Sequence, residues 1–91
     1  MPNEFLIVET PIFTAKVQSQ EYRGVYDKAR RYAYPQLRVN PFFGPNIKKL
    51  RGYQPDTWRY RIGRFRLFFI VDQTKQIVFM LSLDERKDAY R

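Results

Sequence analysis

The chain has 91 residues and a net charge of +8, with no cysteine and no histidine. It has room for one domain, 1–91, with one core; disulfides, thiolate metal sites, histidine dyads and histidine zinc sites are excluded. No apolar run is long enough to cross a membrane, and the N-terminus lacks the basic-then-apolar pattern of a signal peptide, so the expectation is a soluble cytoplasmic chain with no membrane contact.

Phe5-Leu6-Ile7-Val8 reads as a short strand. Thr10-Pro11 follows, and a capping hydroxyl before a proline is a helix start. A first helix is expected from Pro11 to about Ser19. A second is expected from about Glu21 to Ala33. Its apolar stripe is Tyr22, Val25, Tyr26, Ala29, Tyr32 and Ala33, read as core at helical spacing. Pro35 should break or kink that helix, leaving a helical turn from Gln36 to Val39. Asn40 to Asn46, with two prolines and a glycine, is a loop whose Phe42 and Phe43 are expected to plug one end of the core. Ile47 to Gly52 reads as a strand or extended segment, and Gly52 to Thr57 as a second loop.

The stretch Trp58 to Val71 reads as a β-hairpin turning at Gly63-Arg64. That turn sets a register. Ile62 faces Phe65, Tyr60 faces Leu67 and Trp58 faces Phe69, all on one face. On the other face Arg61 lies opposite Arg66, and Arg59 opposite Phe68. Two opposed arginines repel, so this face is expected to meet an anion. Asp72 to Lys75 is a turn, and Gln76 to Leu83 a nearly continuous apolar strand of the kind found inside a sheet. A charged tail, Asp84 to Arg91, follows. The element order gives an α+β fold, a small antiparallel β-sheet packed on an N-terminal helical pair.

Charge is concentrated. Lys48, Lys49, Arg51, Arg59, Arg61, Arg64 and Arg66 stand against Asp56 alone, so this window carries +6 of the +8. A focused basic patch implies a polyanionic partner, most simply nucleic acid. Arginine forks hold phosphate and can stabilise a crowded phosphate during attack by a 2′-hydroxyl. Lys48, Lys49, Arg51 and Arg64 supply further RNA contacts. The proton transfers fall to Tyr90 or Glu85. The plainer reading pairs Arg86 with Asp84, Glu85 or Asp88 in a solvated tail and makes Tyr90 an anchor. A binding surface without chemistry would use the same arginines.

Three segments, "NPFFGPNIKKLRG", "WRYRIGRFRLFFIVD" and "DERKDAYR", resemble the RelE/ParE superfamily of toxin–antitoxin toxins, over nearly the whole chain. The resemblance implies a metal- and cofactor-independent endoribonuclease that enters the ribosomal A site of the 70S ribosome and cuts mRNA. It places catalytic cations at Arg59 and Arg61, further arginines at Arg66 and Arg86, and a C-terminal tyrosine at Tyr90. The first hairpin arm carries arginines where RelE has lysines, and Glu85 stands where many relatives have histidine. A cognate antitoxin is also implied, with an acidic-apolar segment that covers the basic face in a toxin–antitoxin hetero-oligomer. The alternatives are a ParE-like inhibitor of DNA gyrase that does no chemistry, and an inactive relative that binds only RNA or antitoxin.

Overall fold

The computed structural model describes residues 4–85. A five-stranded sheet runs in the order β1-β5-β4-β3-β2. Its strands are β1 (Leu6–Glu9), β2 (Ile47–Lys49), β3 (Trp58–Ile62), β4 (Phe65–Asp72) and β5 (Ile77–Glu85). β2 to β5 pair antiparallel, and β1 joins β5 in parallel. The α+β expectation holds, with the sheet mixed at that one edge. A parallel neighbour follows because the chain crosses the helical layer between β1 and the hairpin strands.

Helices α1 (Pro11–Val17), α2 (Gln20–Lys28) and α3 (Tyr34–Val39) cover one face, with a π turn at Ala29–Ala33 joining α2 to α3. Thr10 caps α1, its Oγ1 accepting from Phe13 N at 3.3 Å and donating to Met80 O at 2.7 Å. One hydroxyl therefore starts the helix and ties it to β5. The core lies between the layers. Phe13, Ala29, Ala33 and Leu37 meet Leu67, Phe69, Val78, Met80 and Leu83, all fully buried. Each large side chain among them contributes about 1.5–3 kcal/mol of burial.

The helix does not break at Pro35. Proline lacks an N–H, and its ring collides with the carbonyl four residues back. The turn just before it is widened instead, with Tyr34 N–H donating to Ala29 O five residues earlier. This extra residue changes the helix phase. Eight residues of regular α-helix leave two side chains roughly 80° apart, whereas one added residue brings them within about 20°. Tyr26 and Tyr34 thereby reach the same acceptor, donating to Glu9 Oε2 at 2.6 and 2.8 Å. Burial first, then the hydrogen bond to the Glu9 carboxylate and its charge, push the Tyr26 phenol up to about 12. The same causes push Tyr34 higher.

The stripe expected to be core is therefore divided. Tyr22 and Val25 are buried, Tyr26 is half-buried with a bonded hydroxyl, and Tyr32 is 66% exposed because the π turn rotates it outward. The loop phenylalanines differ as well. Phe42 packs edge-on against Phe5 and Trp58 at 6.1 and 5.3 Å, whereas Phe43 is 79% exposed. The chain turns at Pro41-Phe42, and of the two phenylalanines Phe42 is the one packed against the core.

β5 contains one irregularity. Phe68 pairs with Ser82 and Phe69 with Met80, leaving Leu81 as a β-bulge. Met80 and Leu83, three residues apart, can then both face the helices. The strand also continues past Leu83 to Glu85.

Candidate functional site

The hairpin has the register that its turn predicts. Trp58 pairs with Phe69, Arg59 with Phe68, Tyr60 with Leu67, Arg61 with Arg66 and Ile62 with Phe65. Gly63 makes this possible with a φ of +59° at the first loop position, as a two-residue hairpin turn of this twist requires. Tyr60, Leu67 and Phe69 are buried under the helices. Arg59, Arg61, Arg66, Phe68 and Ile70 alternate to the far side of the sheet.

That far face divides in two. Across the strands, Lys48, Arg59, Phe68 and Ser82 form one row, and Arg61, Arg66 and Asp84 the next. On the other side of Phe68, toward β1, Ile70 pairs with Phe79 and Phe79 with Val8, while Ile77 pairs with Leu6. Leu6 is 65% exposed and Val8 37%. One half of the face is thus basic and the other apolar.

The arginines differ in environment. Arg61 is exposed. Arg66 is 4% exposed, its Nη1 donating to Phe65 O at 3.3 Å. The expectation that Arg66 lies open on the face is corrected: it is held within the sheet surface beside Arg61, with Asp84 across on β5. Asp84 supplies an acid that the hairpin by itself does not show. Arg59 is half-buried and donates from Nη1 to Asn46 O at 2.7 Å, so it also holds the loop before β2.

The sequence marks Asp84 only as part of a charged tail. It is the penultimate residue of β5, on the arginine row, and it accepts from Ser82 Oγ and pairs with Lys16 Nζ of α1. β1 ends opposite Met80, which leaves this part of β5 open to Lys16. The available signal was strand alternation carried two residues past Leu83. Glu85 differs from the expectation. It pairs with Phe65, on the opposite face from Asp84, and its Oε2 meets Arg64 Nε at 3.2 Å. Strand alternation therefore separates Glu85 from Arg61 and Arg66.

The remaining basic candidates are spread around this end of the sheet. Lys48 shares the row of Arg59. Lys49 pairs with Asp56 at 3.2 Å, Arg51 lies exposed in the loop, and Arg64 sits at the hairpin turn. Arg86 and Tyr90 lie outside the described residues. Among the described residues no cluster of three or more acidic, cysteine or histidine side chains could hold a metal, and no helix is long and apolar enough to cross a membrane.

No protein-family model matches the sequence, and no curated protein matches it. Solved structures do. The RelBE2 toxin–antitoxin complex of Mycobacterium tuberculosis aligns over 91% of this chain and 92% of that one, with a TM-score of 0.74 and 22% identity. The archaeal RelE–RelB complex of Pyrococcus horikoshii aligns over 91% and 96%, with a TM-score of 0.60 and 20% identity. A doubly substituted Escherichia coli toxin RelE in the free state aligns over 96% and 88%, with a TM-score of 0.69 and 19% identity. Helices on one side and a hairpin-centred sheet with a basic row on the other give this chain the RelE-like fold.

Proposed function

We propose that the chain is the toxin of a type II toxin–antitoxin pair and acts as a ribosome-dependent mRNA endonuclease. The observation that carries this reading is the row Arg61–Arg66–Asp84, which places two cations and a carboxylate side by side on one sheet surface. Attack by a 2′-hydroxyl on its adjacent phosphate forms the 2′O–P bond and breaks the P–O5′ bond. Arg61 meets the charge on the pentavalent phosphate, and the nearly buried Arg66 beside it adds its positive field. Asp84, positioned by Ser82 and Lys16, takes the 2′-hydroxyl proton. The 5′-oxygen leaves with a proton from Tyr90. Arg59 and Lys48 hold the neighbouring phosphate, and Arg51 and Arg64 guide the strand. Arg86 adds a further cation. The products are a 2′,3′-cyclic phosphate and a 5′-hydroxyl, and no metal takes part.

The apolar half of the face, Leu6, Val8, Ile70 and Phe79, supports an antitoxin partner. An acidic-apolar segment would lie across both halves, cover the arginine row and exclude RNA. Two of the similar structures are toxin–antitoxin complexes.

Primer extension on a defined message, translated with purified ribosomes and this chain, tests the reading. Cuts inside A-site codons, lost in Arg61→Ala, are expected. An intact message together with inhibited DNA supercoiling would replace this reading with the gyrase-directed one.

A further inference from the structure

The widened turn before Pro35 aligns two pairs of side chains. Tyr26 and Tyr34 come together on Glu9. Arg30 and Arg38, also eight residues apart, come into the same phase. Their guanidinium groups sit 5.6 Å above the Tyr26 ring and 6.0 Å above the Tyr34 ring. Between them opens a cavity of about 470 Å³, lined by Ile7, Glu9, Tyr26, Arg30, Tyr34 and Arg38. Ile7 and Glu9 alternate to the helix side of β1, so the cavity faces away from the Arg61–Arg66 row. A second cavity of about 480 Å³ adjoins it, shares Tyr26 and Arg30, and adds Arg23. Arg23 precedes Arg30 by seven residues, again in phase. Three arginines therefore line one stripe, spaced about 10 Å along the helix axis.

We propose that the Glu9 cavity is a nucleotide pocket. A phosphate lies between Arg30 and Arg38, and the base donates an exocyclic amino hydrogen to Glu9. The lining argues for this chemistry over an acidic peptide. Peptide carboxylates would meet the Glu9 carboxylate, and among the described residues Ile7 is the only aliphatic side chain in the lining that could anchor an apolar residue. A nucleotide carries both the anion that the arginines need and the N–H donor that the carboxylate needs. Guanidinium planes also stack on bases. Both phenols use Oε2, so Oε1 is the acceptor that the ligand meets. The π turn fits this role, since such turns are frequent at functional sites. The pocket does not depend on message cutting, and its test is separate.

The test is calorimetric titration of the whole chain with AMP, CMP, GMP, UMP and inorganic phosphate. Saturable one-to-one binding of AMP, CMP and GMP is expected. UMP, whose single base N–H lies between two carbonyl oxygens that would face the carboxylate, and phosphate should bind at least about tenfold more weakly, the equivalent of one charge-assisted hydrogen bond. Arg30→Ala with Arg38→Ala should abolish binding, and circular dichroism checks that this variant keeps its fold. Glu9→Gln should bring UMP level with the others. Arg61→Ala, on the opposite side of the sheet, should bind as the parent does. The proposal is overturned if no nucleotide binds saturably, if phosphate alone binds as tightly, if the double arginine variant binds unchanged, or if Arg61→Ala removes binding.

Discussion

Arg66 stands between Arg61 on one neighbouring strand and Asp84 on the other. It is nearly buried, whereas Arg61 is exposed. The two arginines should therefore respond to substitution with opposite signs. Arg61→Gln removes a cross-strand repulsion and should raise stability by about 0.2–1 kcal/mol. Arg66→Gln removes a buried, hydrogen-bonded group and should lower stability by about 1–3 kcal/mol. Urea unfolding of both variants measures the difference. A loss of stability in Arg61→Gln would show that the cross-strand repulsion is not felt there.

Alkaline pH should loosen the link between β1 and the helices. The Tyr26 phenol is raised from 10.0 to about 12, and Tyr34 is raised further. The protonated phenol is the form that donates to Glu9, so the folded state holds the proton more tightly than the unfolded state. That contribution is complete below pH 10 and is lost as pH rises through the folded value. Stability measured by urea midpoint should fall between about pH 10 and 12, and Tyr26→Phe should flatten the fall. An equally steep decline in Tyr26→Phe and Tyr34→Phe would assign it to other groups.

The π turn yields a rescue experiment. Deleting Tyr32, which is 66% exposed, returns the stretch to regular α-helical count. Pro35 then collides with the carbonyl four residues back, and stability should drop by about 3 kcal/mol. Adding Pro35→Ala to the deletion should recover most of that loss, because the phase of Tyr26 and Tyr34 is kept. Chemical denaturation of the two variants gives the comparison, and failure of the second change to restore anything would remove proline as the cause.

Gly63→Val tests the hairpin. With φ at +59°, a β-branched residue there should cost about 1–2 kcal/mol. The arginine register should loosen with it. Under the proposed function, cutting of a defined message should fall by more than the loss of folded protein explains.

Local rules made the sheet surface legible. A glycine at the first loop position fixed the pairing from Trp58 to Phe69, and alternation then placed Arg59, Arg61 and Arg66 together. Thr10-Pro11 likewise marked the start of α1. Two features were not legible, and each adds one residue to a regular element. The π turn moved Tyr32 out and Tyr26 onto Glu9, where a constant helical period had placed both in the core. The bulge at Leu81 and the extension of β5 put Asp84 on the arginine row, where composition had suggested a tail. The burial of Arg66 depends on neighbours beyond its own hairpin, which pattern alone does not reveal.

The bulge at Leu81 also decides which chemistry the sheet can display. A strictly alternating β5 that kept Met80 inward would turn Ser82 and Asp84 toward the oily interior and set Leu83 beside the guanidinium groups. The bulge therefore absorbs Leu81, and the side that each later residue faces is what is under constraint. Trimming Leu81 would leave the surface as it is, whereas one extra residue just after Ser82 would turn Asp84 inward and bring Leu83 and Glu85 to the arginine side.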